Sequence, residues 1–350
     1  MNFNTDDVRI KRLRPLIPPA ILLEELPLGS AEAAFVAEQR RAVGAVVTGQ
    51  DRRLLVVVGP CSIHDPKAAI EYAGRLATAA RTYADDLLIV MRTYFEKPRT
   101  TVGWKGLIND PELDGSFAIN RGLRIARSFL LELLAARVPT GTEFLDPITP
   151  QFLADLVCWG AIGARTSESQ VHRELASGLS MPVGFKNGTG GSISIAIDAI
   201  RASRYPHQFL SVTKQGLAAI VETRGNEHTH LILRGGGGKP NYDAASINEA
   251  TAALRGAGVG EGLMVDCSHA NSNKDPRNQP LVATDLAKQL ASGSTSIMGV
   301  MLESFLLGGN QTLRSRAELT HGQSVTDACL AWEETLPVLD VLARAARHRR

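Results

Sequence analysis

Cys61, His269, Glu303 and Asp327 supply one thiol, one imidazole and two carboxylates. Those are the donor types of a site for a divalent first-row ion such as Mn2+, Fe2+, Co2+ or Zn2+, and the carboxylates speak against a purely structural zinc. Plainer readings stay open: Cys61 as a small buried hydrophobe, His269 as a satisfied histidine in the turn Asp266-Cys267-Ser268-His269. A second set is cationic: Arg92, Lys97, Arg165, Lys186 and Arg234, with Arg99 and Thr100 just after Lys97. A lone Arg after a strand is ordinarily a surface ion-pair partner. Five cations converging on one place repel one another unless anions neutralise them. A substrate carrying several negative charges is the simplest solution, with Arg suited to bidentate carboxylate or phosphate recognition and Lys acting as a point charge. In Lys97-Pro98-Arg99, two extended residues span about 6.6 Å, so Lys97 and Arg99 could serve neighbouring anions.

These residues need elements that carry them to one face. The run Leu54–Val58 is aliphatic throughout, as a strand buried on both sides would be, and Gly59-Pro60 ends it. Asp65-Pro66 then reads as a helix cap with proline in the first turn, and Thr149-Pro150 repeats that signal. Strands are expected over 54–59, 87–92, 139–144, 161–165, 182–186, 230–235, 262–268 and 295–304. Helices are expected over 66–80, 117–137, 150–159, 167–178, 192–203, 243–256 and 281–291, with a last one from Val325 onward. Eight strands, each followed by a helix, is the count of a closed (β/α)8 TIM barrel, in which all strand ends share one face. An open doubly wound sheet is the alternative, but Gly59-Pro60-Cys61 is not a dinucleotide-binding turn. Two elements exceed a minimal barrel. Residues 1–50 form an N-terminal arm with a helix from about Ser30 to Val47, and 208–223 form a β-hairpin inserted before the sixth strand of a body spanning 51–350.

The totals exclude several classes. A net charge of +2 gives no reason to expect a nucleic-acid or membrane surface, and no run of apolar residues is long enough to span a bilayer. Four cysteines in 350 residues are not a disulfide framework, and the N-terminus lacks a signal-peptide core. The expectation is a cytoplasmic protein with reduced thiols. Cys158, Cys267 and Cys329 read as core residues.

Several stretches resemble the type I 3-deoxy-D-arabino-heptulosonate-7-phosphate (DAHP) synthases. They are Gly59-Pro60-Cys61-Ser62, Lys97-Pro98-Arg99-Thr100, Gly163-Ala164-Arg165-Thr166, Phe185-Lys186-Asn187-Gly188-Thr189, Leu231-Ile232-Leu233-Arg234-Gly235-Gly236, Val265–Ser272 and Ser324–Cys329. The resemblance runs from Asp6-Asp7 to about Glu334. It implies condensation of phosphoenolpyruvate with erythrose 4-phosphate, the first step of the shikimate pathway, with a divalent metal required and Mn2+ foremost. It further implies Cys61, His269, Glu303 and Asp327 as metal ligands, and Arg92, Lys97, Arg165, Lys186 and Arg234 at phosphoenolpyruvate. Arg99, Thr100 and Asp327 fall at erythrose 4-phosphate, with Lys97, Lys186, His269 and Glu143 as candidates for proton handling. The chain departs from the family's pattern at Thr189-Gly190-Gly191, at Leu307-Gly308-Gly309-Asn310, and by one extra residue in the Gly235–Gly238 loop.

Members of that family are commonly inhibited by an aromatic amino acid and assemble as dimers or tetramers. The resemblance places the effector at Asp6, Asp7, Gln151, Leu175, Leu179, Ser180, Phe209, Ser211 and Val221, with Ser211 favouring phenylalanine over tyrosine. Competing readings are a metal-dependent aldolase or octulosonate-8-phosphate synthase, and a non-catalytic barrel kept as an amino-acid-binding regulator.

Overall fold

The computed structural model describes residues 4–99 and 101–349; Thr100 lies outside them. Eight parallel strands close on themselves: β1 (Leu54–Gly59), β2 (Leu87–Arg92), β3 (Thr140–Glu143), β4 (Trp159–Ile162), β5 (Val183–Lys186), β8 (Thr229–Leu233), β9 (Leu263–Asp266) and β10 (Ile297–Phe305). β10 pairs with β1 to complete the ring, which is the expected TIM barrel. Every residue of these strands is buried, as continuous aliphatic runs require when helices cover the outside. The closing register sets Gly59 beside Glu303, and so brings the loop carrying Cys61 against the end of β10.

The helices follow their strands: α3 (Pro66–Thr82), α4 (Ile119–Ala135), the short α5 (Pro150–Leu153), α6 (Gln170–Gly178), α7 (Ser194–Ser203), α8 (Ala244–Gly256), α9 (Gln279–Ala291) and α10 (Trp332–Ala346). Asp65 caps α3 by accepting from the N–H groups of Lys67 and Ala68, and Asp243 caps α8 through Ser246 N–H. Thr149 does not cap α5. Its hydroxyl donates instead to Glu96 Oε1 at 3.3 Å.

Two helix expectations are corrected. The helix expected over 150–159 stops at Leu153, a single 3-10 turn follows, and Trp159 opens β4. Trp159 is fully buried inside the barrel, where its indole N–H donates to His230 Nε2 at 3.3 Å; interior packing outweighs the local helical pattern. No helix starts at Val325. Ser324 and Cys329 are bridged to Asn310 and Gly309, residues 325–327 bend between them with Thr326 held by Asn310 Nδ2 to its O (3.0 Å) and Ser62 Oγ to its Oγ1 (2.7 Å), and a two-residue strand, β11 (Leu330–Ala331), precedes α10.

The additions are also resolved. α1 (Pro19–Glu25) and α2 (Ser30–Val47) precede the barrel, and Val43 and Val46 of α2 pack with Leu55, Leu88 and Trp159 of the barrel interior. The inserted hairpin is β6 (Gln208–Val212) and β7 (Ala218–Glu222), antiparallel with Phe209 opposite Val221. Residues 14–17 lie on α4 through Arg14 Nη2 to Phe117 O (3.0 Å) and Ile17 N to Asn120 Oδ1 (2.9 Å). No helix among the described residues is long and apolar enough to cross a membrane.

Candidate active site

The C-terminal strand ends open into a cavity of about 750 Å³ lined by Lys97, Arg99, Glu143, Arg165, Lys186, Arg234, His269, Glu303 and Asp327. Residues spread over more than 200 positions of chain therefore share one space, as strand-end placement in a barrel dictates. A shallower hollow of about 410 Å³ lies near α1 and α4, but its Arg124 and Glu25 are spent on each other at 2.7 Å.

On one side of the cavity, donor atoms of Cys61, Glu303 and Asp327 all lie within 4.8 Å of one another. Two ligands about 2.0–2.3 Å from one ion are at most about 4.6 Å apart, so this set fits a metal with little movement. Burial pushes the Cys61 thiol up to about 11, with Glu303 adding to the rise and Lys97 opposing it. Lys97 Nζ lies 3.0 Å from Cys61 Sγ and 3.3 Å from Cys61 O. Burial resists ionisation of Asp327, but Lys97 and His269 outweigh it and hold this carboxyl below its usual range.

His269 does not join that mutual set. Its Nδ1 is 2.9 Å from Asp266 Oδ2 and 2.7 Å from Ser268 Oγ, and its φ of 57° is the left-handed conformation. A ring nitrogen held by a carboxylate is the usual outer-shell support of a metal-binding histidine, and it leaves Nε2 for an ion or a proton. Asp266 also pairs with Lys186 Nζ at 2.8 Å, both side chains at most 4% exposed. Burial would neutralise Asp266, but Lys186 and His269 prevail and keep it well below the normal carboxylate range.

The cations divide by depth. Lys97, Arg99, Arg165, Lys186 and Arg234 line the cavity, whereas Arg92 is completely buried against Glu303 and the Cys61 loop. Arg92 donates to Glu303 Oε1 (3.0 Å), Cys61 O (3.3 Å), Pro60 O (3.2 Å) and Met301 Sδ (3.0 Å). Arg99 is steadied by Nε to Trp104 O at 2.8 Å. Glu143 occupies space that only glycine at 163 leaves free, since a Cβ there would lie 2.3 Å from Glu143 Oε1.

Two supporting residues, Gln279 and Asn187, have no role assigned from the sequence. Gln279 is fully buried and brackets Glu303, donating to its carbonyl (2.9 Å) and accepting from its N–H (2.8 Å). Asn187 accepts from Arg234 N (2.8 Å) and donates to Gly235 O (3.0 Å), so β5 positions the loop after β8. Both are uncharged and act through backbone groups, so their residue types suggest no role, although Asn187 stands within the Phe185–Thr189 stretch.

Of the effector residues, Phe209, Ser211 and Val221 lie on the inner, half-buried face of the hairpin, and Leu175 and Leu179 are buried on or just after α6. Lys214, at the hairpin turn, donates to Gln151 O at 2.5 Å. Ser180 is exposed beside them. Asp6 and Asp7 are exposed, and among the described residues no hydrogen bond or ion pair links their side chains to this cluster.

Comparison with known proteins agrees with the barrel fold. The model of the DAHP synthetase I family matches residues 31–339. A Phe-sensitive phospho-2-dehydro-3-deoxyheptonate aldolase of Escherichia coli K12 is 57% identical over 350 residues, covering 100% of both chains. A tyrosine-inhibited relative from Schizosaccharomyces pombe is 52% identical over 99% of this chain and 94% of its own. A solved phospho-2-dehydro-3-deoxyheptonate aldolase from Francisella tularensis superposes with a TM-score of 0.95 at 51% identity, over 97% of this chain and 99% of that one. Because these matches run through every barrel strand and every loop at the cavity mouth, the chain belongs to the DAHP synthetase I family.

Proposed function

We propose that the cavity joins phosphoenolpyruvate to erythrose 4-phosphate and water, giving DAHP and phosphate. The observation that carries the assignment to these residues is five cations lining one wall-to-wall space beside a thiol–carboxylate donor set. Arg92, Lys97, Arg165, Lys186 and Arg234 receive the phosphate and carboxylate of phosphoenolpyruvate, and each charge-assisted hydrogen bond contributes about 1.5–3 kcal/mol. Arg99, with Thr100, takes the phosphate of the aldose. Cys61, Glu303, Asp327 and the Nε2 of His269 would hold the ion, a mixed thiolate, carboxylate and imidazole set that suits Mn2+, Fe2+, Co2+ or Zn2+, with Mn2+ foremost on the family resemblance. Such an ion supplies Lewis-acid polarisation of the aldehyde oxygen when bound.

The enol carbon of phosphoenolpyruvate attacks the aldehyde carbon, forming the C–C bond while the aldehyde oxygen takes a proton. Positive charge then develops at C2, where Glu143 is the nearby carboxylate. Water adds to C2, loses a proton, and phosphate departs by C–O cleavage. Lys97, Lys186, His269 and Glu143 are the groups at hand for these protons. The hairpin's inner face, with Gln151, Leu175, Leu179 and Ser180, is the effector pocket, and phenylalanine is the effector. Asp6 and Asp7 complete it from the arm of a second copy, whose exposed Val8, Ile10 and Leu13 fit a homodimer or homotetramer.

The test is phosphoenolpyruvate consumption with erythrose 4-phosphate, using chelator-stripped enzyme with and without Mn2+, followed by phenylalanine and tyrosine titrations. Metal-restored turnover silenced by phenylalanine is expected. Turnover with arabinose 5-phosphate instead would favour the octulosonate reaction, and inhibition by tyrosine alone would reassign the effector.

A further inference from the structure

Arg92 is completely buried beside the cavity, and its guanidinium touches two parts of the donor set. Nη2 holds Glu303 Oε1 at 3.0 Å, and the same nitrogen donates to the carbonyl of Cys61. Arginine has five N–H donors, and hydrogen bonds to Pro60, Met301, Cys61 and Glu303 occupy four of them. These bonds hold the rim of the guanidinium, and the ring of Tyr94 lies against its face, the centroid 3.8 Å from Arg92 Cζ. Tyr94 is 1% exposed and belongs to the barrel-interior cluster with Val57, Val90 and Met301. Its hydroxyl has no hydrogen-bond partner among the described residues, and only its carbonyl is spent, accepting from Ile63 N at 2.9 Å in the loop that carries Cys61. A buried phenol with an idle hydroxyl is being used for its face.

We propose that Tyr94 is a positioning residue: its ring underlies Arg92, and through Arg92 it sets Glu303 and the Cys61 loop for metal and phosphoenolpyruvate binding. A desolvated guanidinium over an aromatic face is held by the ring quadrupole, and no aliphatic side chain of similar volume reproduces that. The inference rests on the metal-site reading above and adds the element beneath it that orients the donors.

The experiment measures Mn2+ binding to stripped enzyme by electron paramagnetic resonance of the free ion, and phosphoenolpyruvate binding by calorimetry. Tyr94→Leu is expected to weaken Mn2+ about tenfold and to raise the KM for phosphoenolpyruvate more than it lowers kcat. Tyr94→Phe keeps the ring and discards only the idle hydroxyl, so it should restore both. Should the Leu variant not fold, Tyr94 replaced by phenylalanines of increasing ring fluorination answers the same question at constant shape, with Mn2+ affinity falling stepwise. Unchanged affinities in a folded Leu variant, or a flat fluorination series, would overturn the proposal. A Phe variant as weak as Leu would overturn it too, by moving the role to the hydroxyl. Wild-type protein that binds no Mn2+ would instead defeat the metal-site reading itself.

Discussion

Two ion pairs define the site at the residue scale, Arg92–Glu303 and Lys186–Asp266, and all four side chains are at most 4% exposed. Removing one partner of such a pair strands a buried charge, which is worth far more than the pair's net contribution. Asp266→Ala should therefore cost about 3–5 kcal/mol in urea unfolding. It also strips His269 of its Nδ1 partner, so metal affinity should fall about 10–100-fold in a chelator competition. Titration of Glu96 is a separate matter. Burial, assisted by Asp146, raises this carboxyl to about 8 from an ordinary 4.5. The neutral form is favoured in the fold, so its stabilising contribution is complete below about 4.5 and is lost as pH rises through about 8. Melting temperatures of Glu96→Gln should decline less than wild type across that window; parallel curves would show that Glu96 ionises normally. His230 acts on the acid side. Burial depresses it from 6.5 to about 4, and stability present above 6.5 drains away as pH falls through that interval.

At the scale of elements, the loops after β5 and β8 meet backbone to backbone. A Cβ on Gly236 would lie 2.2 Å from Gly191 N and 2.5 Å from its Cα, whereas one on Gly190 meets nothing within 4 Å. The Gly235–Gly238 loop thus finds its space because glycines stand on the facing strand's loop. Gly236→Ala should cost about 1–3 kcal/mol by overpacking and raise the KM for phosphoenolpyruvate through Arg234, while Gly190→Ala stays near wild type. Equal behaviour of the two variants in melting and kinetics would dissolve this coupling. The inserted hairpin has two unlike faces: Phe209, Ser211, Ala219 and Val221 turn inward, and Leu210 and Ile220 stand opposite each other outward at 88% and 76% exposure. An exposed cross-strand apolar pair is unusual for a surface that stays in water.

For the whole molecule, the outward hairpin face and the apolar residues of the arm are concentrations of exposed hydrophobic surface that a second copy would cover. Leu210→Ser combined with Ile220→Ser should lower the mass seen by light scattering and blunt phenylalanine inhibition, with kcat retained because the barrel mouth is untouched. An unaltered mass with intact inhibition would place the assembly surface elsewhere.

Much of this was legible in the chain. Leu54–Val58 announces a doubly buried strand, Asp65-Pro66 and Asp243 mark helix starts, and the Phe209–Val221 hairpin shows its turn at Lys214-Gln215-Gly216. The ligating and cationic residue types stand at strand ends, so a barrel was enough to predict that they converge. Local pattern determined those features because periodicity, caps and turns act over a few residues. Only the tertiary structure decided the rest. Trp159 leaves its helical pattern to fill the barrel, Thr149 gives up its cap for Glu96, and residues 325–327 bend where Ser62 and Asn310 hold Thr326. It also buried Arg92 against Glu303 and turned His269 onto Asp266. Each of those outcomes depends on a partner remote in the chain. The free energy of a buried contact is set by what lies against it in space, and sequence neighbours do not carry that information.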